Sequence, residues 1–425
     1  MIRKYTEKPL DLLAKRWPNQ ASGGADLLDY VRPIVEDVKT RGDEAVKEYT
    51  VKFDKVDLSS FQVTTEEIQE AYKQVTYHQV EALREARKRL ESVESLRLSQ
   101  MNFTTSIEGV DITCTTRPLE KVGCYVPGGK AAYPSSLVMN VTPAKVAGVP
   151  TVIVCTPPGK DGKVTPLTLV AADICMVDEV YKVGGVQAIA GLAYGTESIP
   201  RVDKIVGPGN AYVTAAKTIV SDTVAIDKPA GPSEILIIAD ETADSKLIAL
   251  DLISQAEHGE GGISGLVTTS DELANKVNEE LDALVPKIER VEITKSVLEE
   301  GGFVYVADNI YEAISFSNEF APEHIEIMTG IPEDVADKIT TSGLVLLGNY
   351  TPVSSTDYCM GVNHVLPTEG FAKVSSGITV LDYVKPVSIV KATKPGLNVI
   401  REKVAAIAEV EGFPNHREAV EGRFR

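Results

Sequence analysis

Cysteine, tryptophan and histidine are all scarce in this chain, with five, one and five residues in 425. The cysteines (Cys114, Cys124, Cys155, Cys175, Cys359) are odd in number, widely spaced and without a Cys-x-x-Cys pair. That argues against a disulfide framework and against a thiolate zinc knot, and leaves buried structural thiols as the reading. No apolar run approaches the ~18 residues a membrane helix needs. The opening MIRKYTEKPLDLLAKRW has no apolar core of signal-peptide length, so a cytoplasmic protein is expected. Positive charge is also short: 43 Lys+Arg against 61 Asp+Glu leave a net charge of −18. This argues against a nucleic-acid partner, which needs clustered cations, and against an anionic membrane surface. It suits a cationic substrate or a metal.

What is present is an ordinary globular composition, 43% apolar and 24% charged, long enough for two to four domains of roughly 100–200 residues. The first hundred residues read as helical. Leu27, Leu28, Val31, Ile34, Val35 and Val38 follow helical spacing. Thr64-Thr65-Glu66-Glu67 caps a second helix expected to run to about Ser95. From Asp111, β-branched apolar runs alternate with helical patterns, the mark of α/β units with a parallel sheet. Val122–Val126, Val180–Val183 and Lys204–Val206 each end in glycine, and Val149–Cys155 ends at Pro157-Pro158-Gly159. Ligand crevices in open α/β sheets lie beyond the carboxyl ends of the strands, which makes the glycine turns the place for a cofactor. A second α/β region has strands at Glu234–Ala239, Gly265–Thr269, Phe303–Val306, Ile325–Met328 and Leu344–Leu347. After about Thr379 come a strand-like Val387–Lys391 and a helix from Gly396 to Val410. That tail is too small for a core of its own and must pack on something else.

Four of the five histidines keep company with acids or amides: Gln255 and Glu257 beside His258, Glu323 beside His324, Asp357 before His364, and Glu411 before His416. The fifth, His78, lies on a charged helix and reads as surface. Gln255 and His258, at i and i+3, share a helix face, and imidazole, carboxylate and amide oxygen together suit zinc or a similar ion. His324 can take a proton from an alcohol, and Glu323 can activate water. The turns Gly207–Tyr212 and Gly259–Ser264 both miss the G-x-G-x-x-G pattern at its third glycine, so the standard dinucleotide fingerprint is not expected. Gly207-Pro208-Gly209-Asn210 still offers backbone N–H groups to an anion, or serves only as a tight β–α turn.

Long stretches resemble the histidinol dehydrogenase family: GCYVPGGKAAYPSSLVMNVTPAKVAGVP, VGGVQAIAGLAYGTESIPRVDKIVGPGNAYVTAAK, AGPSEILIIAD, DLISQAEHG, FAPEHIEI, TDYCMGVNHVLPT and EGFPNHREAV. The resemblance implies NAD-dependent four-electron oxidation of L-histidinol to L-histidine through the aldehyde, at the end of histidine biosynthesis. It implies one Zn2+ per subunit, held by Gln255, His258, Asp357 and His416, the last from a partner chain. Glu323 and His324 match the catalytic pair. Ser233, His364 and Glu411 match substrate positions, and Tyr125, Gln187 and Asn210 match NAD positions. The implied fold is α/β: two Rossmann-like parallel-sheet domains with small helical terminal pieces, in an intertwined homodimer with shared active sites. The expected division is an N-terminal helical segment (1–20), a discontinuous metal and catalytic domain (21–124 and 233–378), an NAD domain (125–232) and an exchanged tail (379–425). Two alternatives remain open at this point. One is a related NAD- and zinc-dependent dehydrogenase of a sulfonated diol, disfavoured by the acidic Glu409 and Glu411, because a sulfonate calls for cations. The other is a non-enzymatic zinc or solute-binding protein, disfavoured by the lack of an export signal.

Overall fold

The computed structural model describes residues 2–16, 25–128, 132–228 and 231–425. Residues 17–20 of the expected N-terminal segment and Gly129 of the first glycine turn lie outside these. The chain opens with strand β1 (Arg3–Tyr5) and helices α1 (Leu10–Leu13), α2 (Ala25–Arg41), α3 (Asp43–Asp54), α4 (Thr65–Tyr72) and α5 (Tyr77–Ser99). A hairpin, β2 (Phe103–Ile107) and β3 (Val110–Pro118), leads to β4 (Lys121–Tyr125), α6 (Pro134–Ala147), β5 (Thr151–Cys155), α7 (Pro166–Ile174), β6 (Glu179–Tyr181), α8 (Gly185–Tyr194), β7 (Lys204–Val206), α9 (Ala211–Val220) and β8 (Ala225–Ile226). Next come β9 (Glu234–Ala239), α10 (Ser245–Ala256), β10 (Ile263–Thr268), α11 (Asp271–Leu284), α12 (Val291–Gly301), β11 (Gly302–Val306), α13 (Ile310–Phe320), β12 (His324–Met328), α14 (Pro332–Ala336), β13 (Leu344–Leu347) and α15 (Val353–Thr356). Strand β14 (Val384–Ala392) and helices α16 (Lys394–Val410) and α17 (Pro414–Glu421) close the chain.

Two parallel sheets result, ordered β6-β5-β4-β7-β8 and β1-β11-β10-β9-β12-β13. Their central strands are largely apolar because both faces are covered, whereas the edge strand β1 carries exposed Arg3 and Lys4. In β5, Val152 and Val154 enter one core while Ile153 and Cys155 enter the other. In β9, Ile235 and Ile237 point one way, and Leu236 and Ile238 the other. The period of two sends alternate side chains to opposite helix layers. In both sheets the order reverses beside the first strand, between β4 and β7 and between β9 and β12.

The structure corrects the expected division in three places. Helices α2 to α5 pack on the five-stranded sheet: Val31, Val35 and Val38 join Tyr125 and Ile153, while Leu83 and Leu90 join Val122 and Val152. Helices α2 to α5 therefore pack with that sheet and not with the strands of 233–378, while β2 and β3 form a separate sheet with β14. The N-terminal segment is not purely helical, because Arg3–Tyr5 adds an edge strand beside β11. The helix expected from Thr64 to about Ser95 is two helices. Thr64/Glu67 and Thr76/Gln79 each form a complete capping box, and a second box starts a second helix.

The tail is tied down by β14, which pairs antiparallel with β3 along its whole length. Beyond it, α16 and α17 pack on each other, with Arg401 donating to Glu421. Ile407, Val410 and Phe413 are exposed, Val410 by 89%. His78 is exposed, as expected.

The turn after β7 is set by close packing. Gly207 has φ +116°, and a Cβ there would lie 2.0 Å from the carbonyl oxygen of Tyr125. Its N–H donates to Asp227 at 2.7 Å and its carbonyl accepts from the Lys217 amine at 3.0 Å, and both side chains are buried. Gly207→Ala is expected to lower stability by about 2 kcal/mol or more, the order of cost of such a backbone conformation without glycine. Urea unfolding midpoints of the two proteins measure it, and an unchanged midpoint would contradict the packing argument.

Candidate active site

Apart from Glu411 and His416, the sequence-predicted residues lie at or near strand ends of the two parallel sheets. Tyr125 ends β4, Gln187 lies in the first turn of α8, and Asn210 caps α9 by accepting from the Val213 N–H at 3.1 Å. All three stand at the carboxyl ends of the five-stranded sheet, as expected. The second sheet departs from that rule. Ser233 precedes β9, Glu323 precedes β12 and His324 opens it, so this sheet presents its amino ends. Left-handed Ala321 (φ +53°) stops α13, and Pro322 follows, which turns the chain into β12 with the Glu-His pair at its start. His364 bridges the two units: its Nε2 lies 3.3 Å from Ser136 Oγ on α6.

Glu323 and His324 are 6% and 3% exposed. The main chain of Glu234 holds both. Its N–H donates to Glu323 Oε2 at 2.8 Å, and its carbonyl lies 3.1 Å from His324 Nδ1. A carbonyl only accepts, so Nδ1 carries the hydrogen of the neutral ring and Nε2 keeps its lone pair. Nε2 is buried and has no hydrogen-bond partner. Burial pushes the Glu323 carboxyl above its usual range. For His324 burial is the largest single influence and favours the neutral ring, but the Glu323 carboxylate 3.5 Å away, Asp357 and the Glu234 carbonyl together outweigh it, and the net shift is upward. The ring is thus a base whose proton-accepting atom is buried and unpartnered.

Gln255 is 1% exposed, and neither atom of its amide has a partner. His258 stands just past the end of α10, with Nε2 3.9 Å from Asp357 Oδ2. That is too long for a hydrogen bond and near the ~3.4 Å that separates two ligands on one tetrahedral ion with bonds of ~2.0–2.1 Å. His364 lies against the same residue, its Nδ1 2.8 Å from the Asp357 carbonyl, and burial pushes its pKa down. Amide oxygen, imidazole and carboxylate are a fitting donor set for zinc, and the unpartnered buried amide points the same way. Among the described residues, however, no group of three or more His, Cys, Asp or Glu is placed to hold a metal. Glu411 and His416 are exposed on the tail, where the His416 ring lies against Phe413. This chain does not bring them to the site.

Three residues that shape the site escaped the sequence reading. Asp54 meets Gln187 at 3.5 Å beside the cofactor positions, and burial pushes its carboxyl up to about 6. Glu234 and its partner Arg16 lie behind the catalytic pair. For Glu234 a signal exists, an acid opening the otherwise apolar EILIIA. For Arg16 there is none, since its partner is 218 residues away.

A doubly covered parallel sheet with a cofactor crevice, facing a buried base and carboxylate beside a set of metal-ligand side chains, defines an oxidoreductase of the dehydrogenase class. The comparisons specify which. The family model described as histidinol dehydrogenase matches residues 18–424. The histidinol dehydrogenase of Methanosarcina mazei is 47% identical over 411 residues, covering 96% of this chain and 95% of that protein. That of Methanococcus maripaludis is 46% identical over 426 residues, covering 100% and 99%. The crystal structure of histidinol dehydrogenase from Elizabethkingia anophelis superposes with a TM-score of 0.94 at 37% identity, covering 100% of this chain and 98% of that one. This chain belongs to the histidinol dehydrogenase family. It is thereby an NAD-linked oxidoreductase of histidine biosynthesis, in a family that depends on NAD and zinc. The sulfonated-diol and non-enzymatic alternatives are not favoured. No helix of the described residues is long and apolar enough to cross a membrane.

Behind the site, Glu326 of β12 accepts from the Val353 N–H at 2.6 Å and faces Asp251 of α10. Burial raises both carboxyls, Asp251 to about 6, and the Asp251 charge raises Glu326 further. The folded state therefore binds more protons than the unfolded one. This stabilisation is present below the unfolded carboxyl range near pH 4 and is lost as pH rises through about 6. Glu326→Gln, which keeps an acceptor for Val353 and supplies a donor for Asp251, is expected to flatten that dependence. At pH 8 it is expected to be the more stable protein, by about 1 kcal/mol. Urea midpoints from pH 5 to 8 check this, and a variant less stable at pH 8 would refute it.

Proposed function

We propose that the site oxidises L-histidinol in two successive steps with His324 as base and Glu323 as activator of water. The observation that carries this is His324 Nε2, a buried lone pair without a partner, on a ring whose other nitrogen is fixed on the Glu234 carbonyl. Overall, histidinol, two NAD and one water give histidine, two NADH and three protons. His324 takes the hydroxyl proton at Nε2 as the first hydride leaves carbon. Glu323 takes a proton from the water that adds to the aldehyde. His324 then takes a proton from the hydrate as the second hydride leaves. A site closed between two domains holds the reactive aldehyde between the steps. Ser233 and His364 contact the substrate, and Tyr125, Gln187 and Asn210 contact NAD. Gln255, His258 and Asp357 would hold the zinc with His416 of the partner subunit. When bound, that ion serves as a template for the nitrogens of the amino alcohol.

The homodimer belongs to the same proposal. Three donors leave one ligand position to fill, while the tail carries Glu411 and His416 on an arm whose Ile407, Val410 and Phe413 are exposed. A second copy that receives this arm would bury them and complete both sites by symmetry. A cytoplasmic setting goes with the reading, since both NAD and the biosynthetic substrate are supplied there.

Two experiments test these claims. Glu323→Gln is expected to lower oxidation of the aldehyde by about 10² or more while sparing alcohol oxidation, and His324→Asn to lower both by similar factors. Stopped-flow NADH formation from each substrate separates the steps, and wild-type rates in both variants would refute the roles. For the dimer, His258→Ala and His416→Ala are each expected to be inactive. Unfolded and refolded together, they should recover about a quarter of wild-type activity, because half of the dimers then contain one intact site. Recovery no greater than either variant alone would exclude shared sites.

A further inference from the structure

The catalytic pair hangs from the main chain of one residue, Glu234, and something must fix that residue. Glu234 opens β9 and is 2% exposed, as is Arg16, which comes from the N-terminal segment. Their ion pair is bidentate, with contacts of 2.5 and 2.7 Å. The two remaining acceptor positions of the Glu234 carboxylate are filled as well: Oε1 accepts from the Glu369 N–H at 3.0 Å and Oε2 from the Glu323 N–H at 3.3 Å. Arg16 spends its other donors on the end of α13, reaching the Phe320 carbonyl at 2.9 Å and the Ala321 carbonyl at 3.1 Å. Its guanidinium lies 4.0 Å from the centre of the Phe320 ring. Arg16 therefore grips the chain on both sides of the catalytic pair, at the start of β9 and at the corner that leads into Glu323.

We infer that Arg16 and Glu234 are a positioning pair for the reaction: together they lock the main chain that orients the Glu323 carboxylate and fixes the His324 tautomer. This rests on the reading of Glu323 and His324 given above. An ion pair withdrawn this far from water is seldom the most stable filling of its space, since apolar groups of similar size often do as well or better. What an apolar pair lacks is direction. A carboxylate with all its acceptor positions occupied holds four donors in fixed places: two from Arg16, and two backbone N–H groups, of Glu323 and Glu369, in the segments that frame the site. Removing the pair is thus expected to loosen the catalytic groups without touching the NAD positions on the other sheet.

The test compares Glu234→Gln, Arg16→Met and the double variant Arg16→Met/Glu234→Gln with the wild type, each also in a Glu323→Gln background. The amide in Glu234→Gln turns a donor toward groups that are themselves donors, so its geometry cannot be kept. Each single variant is expected to lower kcat for aldehyde oxidation at least about tenfold, as small misplacements of reacting groups do, with KM for NAD within about twofold of wild type. In the Glu323→Gln background the same substitutions should cost clearly less on that step than in the wild type, because one of the two groups they position is already gone. A pair that serves only the fold would give losses that multiply in that background, and this result overturns the inference. So do folded variants with wild-type kcat. If a single variant does not fold because it strands one buried charge, the double variant, which removes both, takes the same test. Full activity of Glu323→Gln would instead remove the role assigned to Glu323. The pair is then judged on alcohol oxidation, where loss of the His324 orientation predicts the same tenfold fall and a wild-type rate overturns it.

Discussion

The main chain of Glu234 has one donor and one acceptor, and both are committed, to Glu323 and His324. This constraint decides the chemistry of the site. A carbonyl can only accept, so the imidazole must present Nδ1–H to it and leave Nε2 free. A backbone N–H can only donate, so the carboxylate of Glu323 is held by one oxygen. Neither orientation depends on a side chain that can swing away. The polar atoms left without partners add to the picture. Most buried polar groups in folded proteins are satisfied, yet here His324 Nε2, both amide atoms of Gln255 and Gln187 Oε1 are not. They fall on the base, on a candidate metal ligand and on a cofactor position, where a bound molecule would complete them.

The two sheets offer the site opposite ends. The five-stranded sheet follows the usual rule for open α/β architectures, with its crevice beyond the carboxyl ends and at the point where strand order reverses. The six-stranded sheet has the same kind of reversal, between β9 and β12, but uses the amino ends of those strands. On the proposed reading, joining a carboxyl-end crevice to an amino-end cluster would place a dinucleotide on one side and the reactive side chains on the other. Ser136 and His364 meet across that line. The contact places the first turn of α6 beside a residue that also leans on Asp357.

The fold was legible where its determinants are local. Buried parallel strands show as apolar runs, and each run noted in the sequence became a strand within a few residues. Edge elements were not legible, because their partners are distant and their faces are mixed. Arg3–Tyr5 is a strand only because β11 lies beside it, and β2 and β3 were passed over although Glu108-Gly109, both at positive φ, mark a tight hairpin turn. The packing of α2 to α5 on the first sheet was also out of reach, since an amphipathic helix shows which face is buried but not against what. In the site, titratable residue types and motif resemblance pointed to Glu323 and His324, which the fold buries side by side. The residues behind them were missed, because an arginine such as Arg16 has no local mark of burial.

The failed dinucleotide fingerprint has a structural cause. A third glycine in that pattern exists to let a helix approach a strand closely, but in this turn Tyr212 occupies the position and is 47% exposed, so no such approach is required there. The closeness occurs one strand away. Gly207 lies on the Tyr125 backbone so tightly that a single methyl group would collide with it, and Gly184 meets Pro157 in the same way across β5 and β6. Each glycine turn is thus fitted to the turn beside it, and the Lys217–Asp227 pair bonds both sides of the Gly207 peptide. The floor of the crevice is shaped by glycine contacts between loops rather than by one loop wrapped around a phosphate. A sheet of ordinary dinucleotide-binding topology can therefore lack the motif that usually announces it.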